Sequence, residues 1–533
     1  MKRRKFIQLG SALAGYGLLA TSCSNHTKRK IAGEIIGASS QTGHLLRDKQ
    51  FETPPISEQK EVVIVGGGIS GLSAARWLHR NGQTDFLLLD LEKHTGGNAS
   101  SGTNAVSAYP WGAHYIPIPN NDLPEYTDFL TECNVITGRD EKGLPVYNEY
   151  HLCSDPQERL FINGNWQDGL IPQYGLSPEE KSEVKRFLQQ MQTFREAKGN
   201  DGKDAFAIPV DSSSNDPLYT SLDNITMAAW LQQENYHSKY VQWYANYCTR
   251  DDFGTRSDVI SAWTGIHYFA ARKGNGANAK HDDVLTWPQG NGWLAEQLSS
   301  PLQPYIRTNA LAVKIIPGDK QATVVYYDIN THTLKAVAAK QCILATPQFI
   351  NNRLLDNKVR TALVDAHLHY APWMVANLTV SQLKERDGAP LSWDNVLYES
   401  FGLGYVDATH QQLQQLKPKR VLTYYLPLST NTPKEERLAA YKRSHEDWIN
   451  ILLGDLKKVH PDIEEKIERA DVMVWGHAMA QPLPGLMHGD TRRRLQESIN
   501  NQIHFAHTDL AGISIFEEAF YQGIGAAKKV IGS

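Results

Sequence analysis

A strand, a glycine cluster and a helix follow one another near the N-terminus, and this pattern constrains the fold more than any other feature of the chain. Residues 62–78 read VVIVGGGISGLSAARWL, with glycines at 66, 68 and 71, and the helical pattern ends at Gly82. GxGxxG spacing between a strand and a helix is typical of a dinucleotide-binding loop. The first glycine allows a tight turn, the second lets the backbone approach a pyrophosphate, and the third lets the helix pack on the strand.

The next apolar stretch supplies an acidic residue for the same nucleotide. It reads FLLLD and ends on Asp90, 24 residues after Gly66. An acid at this point is placed to accept a hydrogen bond from a ribose hydroxyl, and Glu92 is the alternative. The free N–H groups and the positive dipole end of the helix favour the phosphates. An acid rather than an arginine here disfavours NADP but does not separate NAD from FAD.

Three further blocks resemble the flavin-containing amine oxidase and phytoene desaturase superfamily, in that superfamily's order. DLEKHTGGN (90–98) resembles its acid-then-GGR signature, with asparagine where arginine is usual. The middle block runs from WPQGNGWLAEQL (287–298) through IRTNALAVKI (306–315) to CILATP (342–347). IHFAHTDLAGISIFEEAFYQGIGAA (503–527) resembles the closing motif.

The resemblance implies non-covalently bound FAD. By this resemblance, the backbone of Val313 would contact the adenine, Asp509 would meet the ribityl chain, and the helix over 523–527 would cap the flavin. The residues predicted to contact the cofactor are Gly66, Gly67, Gly68, Ser70, Gly71, Asp90, Gly96, Gly97, Asn98, Val313 and Asp509.

The expected fold class is α/β, with a Rossmann-like FAD-binding domain assembled from discontinuous segments and an interleaved α+β substrate domain. Capping boxes with proline in the first position predict two long helices in the substrate domain. One runs from Ser177 to Gly199 and the other from Thr432 to Pro461. The expected boundaries are a signal over 1–23, a tether over 24–57, FAD-binding parts over 58–120, 281–350 and 471–533, and substrate-domain parts over 121–280 and 351–470.

Two segments are expected to approach the flavin ring by the same resemblance. YPWGAHYIPI (109–118) contains His114 and Tyr115, and VWGHAMAQPLPG (474–485) contains Trp475 and His477. We predict His477, Trp475 and His114 as the catalytic candidates, with Trp475 and His477 as the pair that lines the substrate cavity. The alternative for each is a buried structural role.

A third segment, YCTRDDFG (247–254), places Arg250, Asp251 and Asp252 beside aromatic residues. Adjacent carboxylates shift each other's pKa when they are buried, which suits proton transfer. The plainer interpretation is a helix end held by a salt bridge.

The leading interpretation is an amine oxidase-like FAD oxidoreductase that oxidises an amine or a similar small substrate by hydride transfer. Amine oxidases of the superfamily commonly carry a lysine in the strand after ATP, and APWMVANLTV (371–380) has none. The alternatives are therefore a desaturase or isomerase acting on an apolar substrate, or a flavin-binding lipoprotein without turnover. No second GxGxxG follows a strand, so oxygen, a quinone or a carrier is expected to reoxidise the flavin.

The N-terminus predicts export. Basic residues at positions 2–5 precede a weakly apolar stretch and LLATSC, which ends at Cys23. RRKFIQ resembles a twin-arginine signal, read by the twin-arginine export machinery, and ATSC loosely resembles a lipobox with a lipidated cysteine. We expect a periplasmic protein or a lipoprotein anchored to the membrane, with an ordinary secretory signal or an uncleaved anchor as alternatives.

The absence of a long basic block after residue 30 argues against nucleic acid as a partner, and the five cysteines indicate no metal site.

Overall fold

The computed structural model describes residues 29–37, 39–384, 387–413 and 417–532, and the predicted signal and Cys23 lie outside these residues. No helix in these ranges is long and apolar enough to cross a membrane. The strands are β1 (Ile35–Ile36), β2 (Ile56–Val65), β3 (Phe86–Leu89), β4 (Ser101–Thr103), β5 (Ala108–Pro110), β6 (Tyr115–Pro117), β7 (Ile136–Arg139), β8 (Pro145–Tyr147), β9 (Glu158–Ile162), β10 (Asn165–Asp168), β11 (Val284–Thr286), β12 (Ile306–Arg307), β13 (Ala310–Ile316), β14 (Ala322–Asp328), β15 (Thr333–Leu344), β16 (Tyr370–Ser381), β17 (Asp394–Leu397), β18 (Gly404–Asp407), β19 (Lys419–Pro427), β20 (Ile467–Ala480) and β21 (Ile503–Phe505).

The α-helices lie between the strands along the chain, and five of them follow one another between β10 and β11. They are α1 (Ser40–Asp48), α2 (Ile69–Arg80), α3 (Pro124–Glu132), α4 (Pro178–Glu196), α5 (Pro217–Thr220), α6 (Met227–Gln233), α7 (Lys239–Phe253), α8 (Ala262–Ala270), α9 (Gly292–Ser299), α10 (Gln348–Leu354), α11 (Lys358–His367), α12 (Pro433–Ala440), α13 (His445–Leu456), α14 (Ile463–Lys466), α15 (Asp490–Gln496) and α16 (Phe516–Ile531).

The first sheet joins three distant parts of the chain. Its strand order is β12-β3-β2-β15-β14-β13, and β21 also pairs with β15. Strands β2, β3, β12, β15 and β21 run parallel, whereas β13 and β14 pair antiparallel. The apolar end of β2 is buried because both faces of a parallel sheet are covered. Helix α16, from the end of the chain, packs along α2, which follows the glycine loop.

The second sheet has eight strands in the order β1-β20-β16-β19-β18-β17-β9-β10. The long strands β20, β16 and β19 are the second to fourth strands of this order, and β16 pairs antiparallel with both of its neighbours. Trp448 and Leu452 of α13 belong to the apolar cluster on one face of these strands.

Helices α4, α6, α7 and α8 form a layer with an aromatic core. Helix α4 begins at the predicted capping box of Ser177 and Glu180. The predicted continuous helix over 433–460 is wrong, because α12 ends at Ala440 and a second capping box at Ser444 begins α13. The sequence pattern is helical on both sides of this turn, so apolar periodicity does not reveal the break.

The N-terminal strap, residues 29–37 and 39–51, corrects the described part of the predicted tether over 24–57. Its strand β1 pairs in parallel with Val472 and Met473 of β20, and α1 packs near β13 of the first sheet. Strand β2 already begins at Ile56. Polar composition suggests a free linker, but the two-residue pairing of β1 depends on a partner more than 430 positions away.

Two further boundaries are corrected. Strand β20 lies wholly in the second sheet, so residues 471–480 do not belong to the FAD-binding part predicted over 471–533. Leu354 and Val364, in α10 and α11, join the core of the first sheet, although the substrate domain was predicted from residue 351.

Candidate functional site

The glycine loop between β2 and α2 has the backbone geometry that a dinucleotide requires. Gly66 has φ +105°, and a Cβ there would lie 2.9 Å from the oxygen of Ala345. A Cβ on Gly71 would lie 1.8 Å from the oxygen of Gly66, so helix and loop are too close for any side chain. A Cβ on Gly68 would meet nothing within 4 Å, because this residue faces open space.

Asp90 fixes the loop from the next strand. Its carboxylate accepts the N–H of Gly67 at 2.5 Å and the N–H of Glu92 at 2.7 Å. Burial raises the pKa of Asp90 to about 6. Glu92, the alternative ribose ligand, instead accepts the N–H and the hydroxyl of Ser39 in the N-terminal strap, both at 2.8 Å.

The loop forms one wall of a cleft with a volume of about 260 Å³. The closing segment of the chain forms another wall, and Tyr370 and His477 also line the cleft. Nine residues predicted to contact the cofactor line this cleft: Gly66, Gly67, Gly68, Ser70, Asp90, Gly96, Gly97, Asn98 and Asp509.

Two residues of the predicted set do not line the cleft. Gly71 lies beneath the loop, where it permits the close packing described above. Val313 lies on β13, in an apolar cluster against which Leu45 and Leu46 of α1 pack. The N-terminal strap, which the sequence did not reveal as structured, therefore packs against the cluster that contains the Val313 side chain. The contact of the Val313 backbone with the adenine stays a prediction.

One carboxylate oxygen in the cleft has no hydrogen-bond donor among the described residues. Oδ2 of Asp509 accepts the N–H of Gln348 at 2.8 Å and the hydroxyl of Tyr370 at 2.6 Å. Oδ1 lies 3.0 Å from Nδ1 of His507, but that nitrogen accepts the N–H of Asp509. Oδ1 is thus buried with no hydrogen-bond donor among the described residues. A free carboxylate oxygen, open space at Gly68 and the N-terminus of α2 fit a ligand that carries both hydroxyls and a diphosphate.

A second cavity, the aromatic cavity, opens from the cleft and has a volume of about 150 Å³. The cleft and the aromatic cavity share Asn98, Ala113, Ala478 and Ser514. Its aromatic walls come from β6, β16, β19, β20 and the segment before β6, through His114, Tyr115, Trp373, Tyr425 and Trp475.

The structure separates the pair that was predicted to line the substrate cavity. Trp475 lines the aromatic cavity and its Nε1 donates to the oxygen of Trp111 at 2.6 Å, whereas His477 lines the cleft instead. Residues two apart on a strand lie about 7 Å from each other along it, which accounts for the different cavities. His114 lines the aromatic cavity, and burial lowers its pKa to about 4.

Charged side chains line the aromatic cavity beside the rings. Nη2 of Arg272 donates to both carboxylate oxygens of Asp252, at 2.9 and 2.7 Å. Burial and the neighbouring Asp252 raise the pKa of Asp251 to about 7, and burial raises the pKa of Glu517 to about 7. Neither Asp251 nor Glu517 forms a salt bridge within the described residues, so the cavity carries excess negative charge when both are ionised.

The two adjacent aspartates of the segment 247–254 thus have different roles. The salt-bridge interpretation holds for Asp252, while Asp251 faces the cavity and forms no salt bridge with the residues that the structure describes. Arg250 turns away, because its guanidinium hydrogen-bonds to Ser429 and to the oxygen of Phe401. Sequence reasoning missed Glu517 and Arg272. Glu517 had a signal, an acid in the closing motif, but Arg272 had none.

Comparison with known proteins identifies the fold. Residues 64–133 match the model of the NAD(P)-binding Rossmann-like domain. A putrescine oxidase bound to putrescine matches with a TM-score of 0.66 and 17% identity, over 89% of this chain and 99% of that chain. The chain has the fold of the amine oxidases. This finding confirms the expected α/β fold with its Rossmann-like domain.

Two other solved structures show the range of proteins with this fold. Cyclohexylamine oxidase from Brevibacterium oxydans IH-35A matches with a TM-score of 0.64 and 16% identity, over 89% of this chain and 99% of that chain. A CLA-producing fatty acid isomerase from P. acnes matches with a TM-score of 0.61 and 15% identity, over 88% and 98%. At these identities the likeness concerns the fold, and the activity must be argued from the site.

Proposed function

We propose that this protein is an FAD-dependent oxidoreductase that oxidises a small amine. The observation that carries the proposal is the aromatic cavity, which opens on the cleft and contains two carboxyl groups that form no salt bridge with the described residues. FAD bound in the cleft would supply the acceptor for a hydride from the substrate.

The residues of the cleft suit the parts of FAD. The N–H groups of the glycine loop and of the first turn of α2 would hold the diphosphate. Asp90 would accept a ribose hydroxyl, since each of its oxygens retains a lone pair beside one backbone N–H. Oδ1 of Asp509 would accept a hydroxyl of the ribityl chain.

The aromatic cavity suits an ammonium group. Aromatic faces attract cations, and the attraction grows where water is excluded. Asp251 and Glu517 add negative charge, and His114 stays neutral near pH 7 because its pKa is about 4. A substrate amine would therefore bind as a cation without repulsion from an imidazolium.

The same carboxyl groups can take up the proton that the amine must lose. An ammonium nitrogen has no lone pair to stabilise the positive charge that develops on carbon as hydride leaves, so the amine must be deprotonated first. An acceptor with a pKa near the working pH is suited to this transfer, and Asp251 and Glu517 both have pKa values of about 7.

The second candidate is an isomerase or desaturase of apolar molecules, and the fatty acid isomerase with the same fold supports it. Four charged side chains in a cavity of about 150 Å³ oppose it, because an apolar ligand would leave them buried without solvent. A flavin-binding protein without turnover is the third candidate, supported by Asn98 and by the absence of lysine from β16.

Anaerobic mixing of the FAD-loaded protein with amines tests the proposal. Small primary and secondary amines should bleach the oxidised flavin absorbance, and linoleic acid should leave it unchanged. Asp251→Asn and Glu517→Gln should each raise the apparent Kd of the amine about 10- to 100-fold, since a charge-assisted hydrogen bond contributes about 1.5–3 kcal/mol. Bleaching by none of the amines, with conversion of the fatty acid, would replace the proposal by the isomerase.

We further propose that the protein is exported by the twin-arginine route to the periplasm or to the membrane surface, with a lipid on Cys23. RRKFIQ and ATSC in the N-terminal sequence support this proposal.

A further inference from the structure

A third cavity, the basic cavity, lies on another side of the cleft. It has a volume of about 940 Å³, opens to solvent, and is lined mainly by residues of α10, α11, α12 and the end of β20. Its lining includes the cations Arg353, Lys434 and Arg437, together with one carboxylate, Asp365. The basic cavity thus carries excess positive charge, opposite to the aromatic cavity.

The wall between the basic cavity and the cleft is aromatic and one side chain thick. Tyr370 and His477 line both the cleft and the basic cavity. Phe349 stacks on His477 with ring centroids 4.4 Å apart, and it meets Tyr370 at 5.0 Å. A ring in the basic cavity would therefore lie against Tyr370 and His477, which also face the cleft.

The three cations at the rim of the basic cavity differ in their hydrogen bonds. Nη1 of Arg437 donates to the oxygen of Gly476 at 3.0 Å, which fixes Arg437 beside His477. Arg353 and Lys434 are exposed, and neither forms a hydrogen bond or salt bridge to the residues that the structure describes. Two exposed cations without such bonds at one rim favour an anionic ligand over a neutral or cationic one.

We propose that the basic cavity binds an anionic electron acceptor of the quinone class, which reoxidises the cofactor from the side of Tyr370, Phe349 and His477. The inference rests on the proposed cofactor. Reduced flavin that is deprotonated at N1 would give up two electrons and its N5 proton, a second proton would come from water, and the quinone would become a hydroquinone. A cationic substrate and an anionic acceptor then use cavities of opposite charge.

The test follows the oxidative half of the reaction alone. FAD-loaded protein is reduced anaerobically with one equivalent of dithionite and mixed with one of three acceptors. The first acceptor is 2,6-dichlorophenolindophenol, a quinone imine that is anionic at pH 7. The second is the neutral 2,3-dimethoxy-5-methyl-1,4-benzoquinone, and the third is oxygen. Because dithionite replaces the amine, a failure of the proposed amine oxidation does not affect the result.

Two variants address charge and space separately. The double variant Arg353→Gln, Lys434→Gln removes the two exposed cations, and Lys442→Gln, an exposed lysine outside the cavity, is the matched control. His369→Trp narrows the basic cavity. It removes one exposed imidazole and leaves the arginine, lysine and aspartate side chains of the lining unchanged.

We expect the rate constant for the anionic dye to fall about tenfold in the double variant and in His369→Trp. Rates for oxygen and for the neutral quinone should stay within about twofold of the unmodified protein in the double variant. Equilibrium dialysis against the oxidised protein should show a matching rise in the Kd of the dye, independently of turnover.

Two results would overturn the proposal. In the first, dye binding and dye reduction stay within twofold of the unmodified protein in both variants. In the second, all three acceptors slow equally, which would place the effect on the cofactor rather than on an acceptor site.

Discussion

At the scale of single residues, Gly68 leaves open space in the cleft because it has no side chain. It adopts φ −72°, ψ −179°, which any residue can adopt, and a Cβ there would touch no protein atom. A Gly68→Val protein should therefore fold normally but lose FAD, because the added side chain fills the space of the diphosphate.

The ratio of flavin to protein absorbance after purification measures this loss, and circular dichroism measures folding. Gly138→Val is the matched control, since a Cβ on Gly138 also meets nothing within 4 Å but lies away from the cleft. Retention of FAD by the Gly68 variant would contradict the assignment of the cleft.

Asp251 and Glu517, which we propose bind the amine, also affect stability. Their pKa values rise to about 7 from ordinary values of 3.8 and 4.5, so the folded protein holds their protons more tightly than the unfolded chain. The free energy of unfolding that these groups contribute must fall as the pH rises from about 4 to about 7.

Asp251→Asn should consequently stabilise the cofactor-free protein by about 1–2 kcal/mol at pH 8, after allowance for water in the cavity, and have little effect at pH 4. Thermal unfolding between pH 4 and 8 measures the difference. Glu497→Gln, which changes an exposed carboxylate, should give no such trend. A lower Tm for Asp251→Asn at pH 8 would show that the ionised carboxylate is compensated in the folded state.

The site positions that were readable from sequence at the residue scale are those that depend on local backbone. The loop glycines and Asp90 lie within 25 positions of one another, so spacing alone placed them together. Arg272 reaches the aromatic cavity only through the packing of α7 and α8 against distant strands, and its flanking sequence has no distinguishing pattern.

At the scale of elements, the contact between α2 and α16 holds the two ends of the cofactor-binding region together. A Cβ on Gly523 would lie 2.1 Å from the oxygen of Ser70, so the two helices approach as closely as glycine permits. A Cβ on Gly525, two positions later in α16, would meet nothing within 4 Å.

The two glycines allow a matched comparison. Gly523→Ala should destabilise the protein by about 1–3 kcal/mol through overpacking, and it should weaken FAD binding because α2 begins at the glycine loop. Gly525→Ala should raise stability by up to about 1 kcal/mol, since alanine has the higher helix propensity. Urea unfolding with a flavin-release signal measures both, and equal effects of the two substitutions would contradict the close packing.

Elements with a local start signal were predictable, and those completed by a distant partner were not. The capping box at Ser177 located the beginning of α4 correctly. Strand β1 has two residues and no pattern of its own, because its geometry comes from β20. The N-terminal strap was therefore mistaken for a linker.

At the scale of the whole molecule, the cleft joins residues from opposite ends of the chain. Gly66 and Asp509 line the same space although 443 positions separate them. The resemblance of the motifs predicted this assembly, and the fold confirms it. The basic cavity was not predicted, since Arg353 and Lys434 are ordinary surface cations in sequence and only the fold brings them to one rim.

The same long-range assembly bears on the proposed export route. A translocon that threads unfolded chain cannot carry a cleft whose walls are 443 positions apart, so FAD would have to be acquired after export. Twin-arginine export carries folded protein, and FAD bound in the cytoplasm would stabilise that fold by mass action.

We therefore predict that Arg3→Lys, Arg4→Lys leaves FAD-loaded protein in the cytoplasm. Cell fractionation with flavin fluorescence of the purified protein measures this, and Lys2→Arg, which keeps both arginines, should export normally. Normal amounts of the double variant in the cell envelope, with flavin bound, would refute the link between cofactor loading and export route while leaving the fold and the cleft unaffected.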